Sequence, residues 1–101
     1  MRAEKKKIEG DLTLTDGLAL YGQASGNIVV TNGGELLLYG VCGRNLTVQE
    51  GGKAIIYGMV SGHVVNDGGH LQVLGTIVGS LRSPSGDTEV NPNASVIGGR
   101  G

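Results

Sequence analysis

Large aromatic side chains are almost absent from this chain of 101 residues, which has no tryptophan, no phenylalanine and three tyrosines. A conventional β-sandwich core relies on such side chains to fill the space between its sheets. The twenty glycines add almost no side-chain volume. The composition therefore argues against a sandwich and favours a more repetitive architecture.

Strong charge and long apolar runs are also missing, and each absence excludes a class of function. The formal net charge is −1 and the pI is near 6.0, so a nucleic-acid partner has no electrostatic support. No run approaches the length of about 18 apolar residues that a membrane span needs, and no apolar segment follows the basic N-terminus, which predicts neither a membrane span nor a signal peptide. We expect a cytoplasmic protein.

Residues 1–7 are predicted to be a charged tail, with weak peripheral membrane contact through Lys5, Lys6 and Lys7 as an open alternative.

Cysteine and histidine are too sparse to predict a disulfide framework or a metal site. Cys42 is single, so neither an intramolecular disulfide nor a CxxC pair can form. His63 and His70 lie seven residues apart without an HExxH context, which favours structural or surface roles. We therefore expect no metal and no cofactor.

A repeat of about 18 residues dominates what the sequence does contain, and a fixed period of this length indicates a repeat architecture. All three tyrosines, Tyr21, Tyr39 and Tyr57, precede a glycine and recur at equal intervals of one repeat. The successive repeats read LALYGQASGNIVVTNGGE, LLLYGVCGRNLTVQEGGK, AIIYGMVSGHVVNDGGH, which is one residue shorter, and LQVLGTIVGSL. The repeat therefore has to be explained before any single strand is assigned.

A finer period of six runs through each repeat and is occupied by apolar residues. The ladder comprises Leu18, Ala24, Val30, Leu36, Cys42, Val48, Ala54 and Val60, and after one deletion Val65, Leu71 and Ile77. A helix would need apolar spacings of three and four, and the Gly-Gly pairs would each destabilise it. The ladder therefore predicts strands, with Cys42 as a small core residue.

Three six-residue faces per turn predict an all-β fold, a triangular parallel β-solenoid of four to five coils with about 18 residues per coil. We place the solenoid at residues 8–81 and a C-terminal tail or cap at residues 82–101. The segments TNGGE, QEGGK and NDGGH are the predicted corners, where glycine supplies positive φ angles. The period alone allows either hand, and paired glycines at one corner in three favour the right hand.

No catalytic residues are predicted. The candidate acids Glu35, Glu50 and Asp67 lie beside the corner glycines, where carboxylates are usually solvated turn residues.

The phrases IEGDLTL, YGQASGNIVV and YGMVSGHVV resemble the bactofilin family over roughly residues 8–81. Bactofilins are polymer-forming bacterial cytoskeletal proteins with a right-handed triangular β-helix, and they assemble end to end without nucleotide. The resemblance implies a structural, self-assembling protein without catalysis or cofactor. The Lys-rich N-terminus departs from the family pattern, in which many members carry an apolar membrane-targeting stretch.

One predicted face differs from the others because it is apolar on its outer side. Alternation from inward Leu36 and Leu38 sends Leu37 and Tyr39 outward, and the same register exposes Ala19 and related residues. The predicted protein-interaction face is Tyr21, Leu37, Tyr39, Ile55, Tyr57 and Leu74.

Three occupants of this face stay open from the sequence. A second copy would make the protein a self-assembling scaffold, and another protein would make it a discrete binding module, such as an immunity-type inhibitor. The third is the chain's own tail, Val90 to Ile97. Self-assembly through the unpaired edges of the terminal coils is also expected if the tail leaves them free.

Overall fold

The computed structural model describes residues 2–99, and within that range the chain forms fifteen β-strands and no helix, hence none able to cross a membrane. The strands form the three faces of a triangular prism. The first face contains β1 (Arg2–Glu4), β4 (Gly17–Leu20), β7 (Glu35–Leu38), β10 (Lys53–Ile56) and the C-terminal halves of β12 (Val64–Val73) and β14 (Leu81–Val90). The second face contains β2 (Lys7–Ile8), β5 (Gln23–Ala24), β8 (Val41–Cys42), β11 (Met59–Val60), β13 (Thr76–Ile77) and β15 (Ser95–Val96). The third face contains β3 (Leu12–Leu14), β6 (Ile28–Val30), β9 (Leu46–Gln49) and the N-terminal halves of β12 and β14.

Every strand pairs in parallel with the equivalent strand of an adjacent coil. Leu18 pairs with Leu36 and Leu36 with Ala54, which are two steps of equal length, and the step from Ala54 to Leu71 is one residue shorter. The first coil is also shorter, since Arg2 pairs with Leu18. The predicted parallel β-solenoid with about 18 residues per coil is confirmed, and it has about five coils.

The core is a narrow column of aliphatic side chains enclosed by the three faces. Ten of the eleven predicted ladder positions are buried, and Cys42 is fully buried between Ala24 and Val60 as expected. Because like residues stack on like, small side chains fill the column without aromatic rings. The solenoid solves the packing problem that the scarcity of aromatic residues raised.

The exception in the ladder is Val65, which is half-buried and does not lie in the core column. The deletion in the third repeat falls at the corner, where β12 shifts register against β9 between Asp67 and Gly68. Asn66 therefore pairs with Val48 and occupies the inward position. Its amide nitrogen donates to the Asp87 carbonyl oxygen and to the Thr88 hydroxyl, and its amide oxygen accepts from the N–H of Gly69. A buried amide with these three partners is satisfied, which removes the cost of burying it.

The corner between the third and first faces depends on glycine, as predicted. Gly33, Gly51 and Gly68 have φ angles of +86°, +81° and +100°, and Gly86 continues the series at +85°. Residues with a side chain rarely adopt this region, so each coil places its glycine at the same turn.

The corner between the second and third faces is held by a ladder of side-chain acceptors. Each of four residues accepts a backbone N–H from the coil above: Asp11 from Asn27 at 2.8 Å, Asn27 from Asn45 at 3.1 Å, Asn45 from His63 at 2.8 Å, and His63 from Ser80 at 2.9 Å. The His63 Nδ1 atom is therefore an acceptor, which gives His63 the structural role expected for it.

The solenoid extends beyond the predicted limits of residues 8 and 81. Strands β1 and β2 pair with β4 and β5, so most of the predicted charged tail is part of the first coil. Strands β14 and β15 pair with β12 and β13, so the predicted C-terminal tail forms the last coil. Backbone pairing does not require apolar side chains, which is why charged segments can extend a sheet. Residues 1, 100 and 101 belong to these predicted tails and lie outside the described residues.

Candidate protein-interaction ridge

The three tyrosines form one continuous stack along the solenoid. The ring centroids of Tyr21 and Tyr39 are 4.7 Å apart with an interplanar angle of 5°, and those of Tyr39 and Tyr57 are 4.7 Å apart at 3°. This distance equals the usual spacing of strands in a sheet, about 4.8 Å. Leu74 takes the equivalent position in the next coil, where its N–H donates to the Ile56 carbonyl oxygen. The coil spacing therefore sets the aromatic stack.

The backbone explains why each tyrosine precedes a glycine. The N–H groups of Tyr39 and Gly40 both donate to the carbonyl oxygen of Leu20, at 2.9 Å each, and the chain turns there from the first face to the second. A Cβ atom placed on Gly40 would overlap the carbonyl oxygen of Gly22 in the coil below. The Tyr-Gly pair thus combines a tight turn with a side chain that projects outward.

This geometry locates the predicted interaction face at a corner rather than on one flat face. The residues of the tyrosine column are substantially exposed: Tyr21 51%, Tyr39 40%, Tyr57 43% and Leu74 37%. Leu37 and Ile55 flank the column as half-buried residues of the first face. Ala19 lies in the same outward register but is only 7% exposed, because its short side chain sits between Ala3 and Leu37 in its column.

The structure adds two residues from the second face that the sequence reasoning missed. Val41 and Met59 are half-buried and pair with each other across β8 and β11, next to the glycines that follow the tyrosines. Each of them directly precedes an inward ladder residue, Cys42 or Val60, and this alternation could have indicated from the sequence that they point outward. We define the tyrosine ridge as Tyr21, Tyr39, Tyr57 and Leu74 together with the flanking Leu37, Ile55, Val41 and Met59.

The predicted tail does not cover this ridge. Val90 pairs with Val73 and Val96 with Ile77, so Val90 to Ile97 stacks on the end of the solenoid. The reading in which the tail shields the apolar side chains is therefore wrong.

The two ends of the ridge carry opposite charge. Lys5 and Lys6 occupy the Tyr and Gly positions of the first coil, since the N–H groups of Tyr21 and Gly22 donate to the Glu4 carbonyl oxygen just as the later pairs do. At the other end Glu89 pairs with Gln72, which in turn pairs with Ile55. The ridge thus has Lys5 and Lys6 next to its first end and Glu89 next to its last end.

Among residues 2–99, Tyr39 and Cys42 have shifted pKa values, and both shifts favour the neutral form. Desolvation raises the pKa of Tyr39 above the usual 10.0, and the neighbouring phenols Tyr57 and Tyr21 add to the effect. Burial raises the pKa of the Cys42 thiol, partly offset by its hydrogen bond to the Arg44 backbone. A buried neutral thiol packs as a small apolar side chain.

The structure places the three candidate acids at or next to the corner between the third and first faces. The Glu35 carboxylate lies 3.8 Å from the Lys53 ammonium, and both Glu50 and Asp67 are exposed at corners. No group of three metal-ligating side chains occurs within residues 2–99.

A depression of about 530 Å³ lies on the first face near the C-terminal end. Five of its lining residues are exposed and polar or charged: Lys53, His70, Gln72, Asp87 and Glu89. Small-molecule sites are usually enclosed and mostly apolar, so the exposed ridge is the stronger candidate site.

Comparisons with protein-family models, with curated proteins and with solved structures find no match to this chain.

Proposed function

We propose that this protein is a non-catalytic structural module that self-associates through the tyrosine ridge and acts as a scaffold. The observation that carries the proposal is the column of four large apolar or aromatic side chains, each 37–51% exposed, on four consecutive coils. Contiguous apolar patches of a few hundred Å² usually mark interaction surfaces. Tyrosine is well suited to such a surface because it buries a large area with little loss of side-chain freedom.

The ridge is supported by strands that are anchored in the core. Each ridge residue follows or belongs to a strand whose inward neighbours are fully buried, such as Leu36, Leu38 and Ile56. A surface held in a fixed register loses little conformational entropy when it binds a partner.

The coil ends are less suited to association than the ridge. At the N-terminal end Arg2 and Glu4 pair with Leu18 and Leu20, which places two charged residues in the register of the core column. Charged residues at inward positions are a known means of protecting a sheet edge from further pairing. At the other end the hydroxyls of Ser83 and Thr88 lie 2.6 Å apart, beside the buried amide of Asn66. These polar groups favour assembly through the ridge over end-to-end growth.

The resemblance to bactofilins supports a structural role, and we include a bacterial, cytoplasmic setting in the proposal. The single free thiol of Cys42 is compatible with a reducing compartment. Assembly would need neither nucleotide nor metal, because apolar contact between ridges supplies the free energy.

The runner-up function uses the same ridge to bind a different protein. The polar coil ends favour it, because a solenoid that does not grow at its ends is a discrete unit that can cover a partner. The two proposals predict different behaviour of the purified protein. The average molar mass in solution rises with protein concentration only if the protein self-associates.

The test replaces Leu37 and Tyr39 together with lysine and measures mass by light scattering after size exclusion over a range of concentrations. We expect the parent protein to associate and the Leu37→Lys/Tyr39→Lys variant to be monomeric, because a pair would have to place four charges within its apolar interface. The matched control is Thr47→Lys/Gln49→Lys, which adds the same charges at the same spacing on the third face and should associate like the parent. An unchanged mass of the ridge variant would show that the ridge is not the interface.

A further inference from the structure

We propose that two copies of this chain pair through the tyrosine ridge in antiparallel orientation about a two-fold axis, with Lys5 of each copy beside Glu89 of the other. The inference rests on the proposed self-association and specifies its geometry. It is carried by the order of residues along the ridge, by the charges at its ends and by its area.

The tyrosine column has a polar residue at each end and four large side chains between them, a pattern that is unchanged when the order is reversed. From first to last coil the column reads Lys5, Tyr21, Tyr39, Tyr57, Leu74 and Asn91. An antiparallel second copy places Tyr39 opposite Tyr57 and Tyr21 opposite Leu74. Each large side chain therefore meets another one, and the polar ends meet each other. This self-complementarity is what an interface with two-fold symmetry requires.

The flanking columns match in the same way. A two-fold axis perpendicular to the solenoid places the first face of one copy beside the first face of the other with the coil order reversed. Leu37 of one copy then lies opposite Ile55 of the other, and Val41 lies opposite Met59. Within a single copy these same residues are paired neighbours on adjacent coils. Both flanking columns thus place apolar side chains beside apolar side chains of the other copy.

Charge selects the antiparallel orientation over the parallel one. In a parallel pair the Lys5 side chains of the two copies would lie at the same level, with Lys6 adding further positive charge, whereas the Lys7 ammonium lies 3.9 Å from the Glu9 carboxylate. The antiparallel pair brings Lys5 to the end that holds Glu89, which stands at the top of the Leu37–Ile55 column. Exposed charges interact over a Debye length of about 8 Å at physiological salt, so contacts at the ridge ends are within range.

The area of the ridge indicates a reversible dimer. Six column positions at about 4.8 Å span roughly 24 Å along the solenoid, and three neighbouring columns give a patch on the order of 300–400 Å² per copy. Stable complexes usually bury about 800 Å² per partner, so this interface is smaller than a standard one and belongs with weak, transient contacts. We expect a dimer that dissociates on dilution and depends measurably on its charge pairs.

The test reverses the charge at each end of the ridge and measures the dimer dissociation constant by analytical ultracentrifugation. Lys5→Glu and Glu89→Lys should each weaken the dimer roughly tenfold, because each converts two attractive pairs into two repulsive ones. The combined variant Lys5→Glu/Glu89→Lys should restore the parent affinity. Both positions are exposed and outward, so the fold is expected to persist, and Arg44→Glu makes the same charge change away from the ridge as a control.

Three outcomes separate this inference from the function on which it rests. Weakening by each single reversal with recovery in the combined variant supports the antiparallel dimer. If both reversals leave the affinity unchanged while Leu37→Lys/Tyr39→Lys still dissociates, the orientation is wrong and ridge association stands. A parent protein that is monomeric at every concentration overturns both.

Discussion

Glycine and tyrosine act as a pair in this protein, and each has its own physical reason. Gly40 and Gly58 are required because the coil below approaches too closely for a side chain, whereas Tyr39 and Tyr57 are not required by the backbone. A residue that the backbone does not demand and that exposes an aromatic ring is a candidate for function. By the same criterion the corner glycines are structural, because the backbone requires them, whereas the ridge side chains are not required by the backbone.

At the residue scale we predict that Gly58→Ala destabilises the protein by about 1–3 kcal/mol, because the added methyl group would overlap the Gly40 carbonyl oxygen. Thermal or urea unfolding followed by circular dichroism measures the change. Gly43→Ala is the control, since a Cβ atom there would lie 3.0 Å from its nearest neighbour, the Ala24 carbonyl oxygen, and should cost less. Equal stabilities of the two variants would contradict the close approach at the Tyr-Gly corner.

At the scale of elements, short strands are held in register by corners that repeat in every coil. Strands β5, β8, β11, β13 and β15 have two residues each, too few to define a register by backbone pairing alone. The acceptor ladder from Asp11 to His63 supplements them, because each side chain binds a backbone N–H of the next coil. The strand register is thus set by the corner between the second and third faces as well as by the core.

We predict that Asn45→Ala lowers the free energy of unfolding by about 1 kcal/mol, because the His63 N–H loses its acceptor at 2.8 Å. Asn45→Asp is the matched control, since a carboxylate keeps an accepting oxygen and Asp11 already has this role in the first coil. Chemical denaturation of both variants provides the comparison. The ladder would be shown to be unimportant if the alanine variant were as stable as the aspartate variant.

At the scale of the whole molecule, the last coil caps the C-terminal end of the solenoid. The last coil covers the apolar column and supplies the Asp87 and Thr88 partners of the Asn66 amide. Val90, Ala94 and Val96 pack against the core from this coil. Its removal would leave both an apolar surface and an unpaired buried amide.

We predict that deleting residues 82–101 lowers the thermal stability and promotes larger assemblies, because Leu71, Val73 and Ile77 become exposed at an open sheet edge. Size exclusion with light scattering, together with circular dichroism melting, measures both effects. The comparison is made with Leu37→Lys/Tyr39→Lys in both the full-length and the truncated chain, so that association through the ridge is absent from each. If the truncated variant stays monomeric and is as stable as the full-length variant, the last coil does not cap the column.

The third repeat shows where sequence reasoning reached its limit. Val64 and Val65 are both apolar, so either can be taken as the inward residue and the deletion can be placed on either side of them. The structure selects Val64, which pairs with Leu46, because Asn66 then finds hydrogen-bond partners in the last coil. Those partners belong to a different coil, and no local pattern indicates them.

The sequence by itself determined the coil length, the inward ladder and the glycine corners, because each is a periodic local requirement of burial or of backbone conformation. Only the tertiary structure decided the extent of the solenoid, because strands such as β1 and β14 join it by backbone pairing that does not depend on apolar side chains. It also decided the composition of the ridge. Val41 and Met59 come from another face, and Lys5 and Glu89 lie at opposite ends of one surface because the coils stack them there.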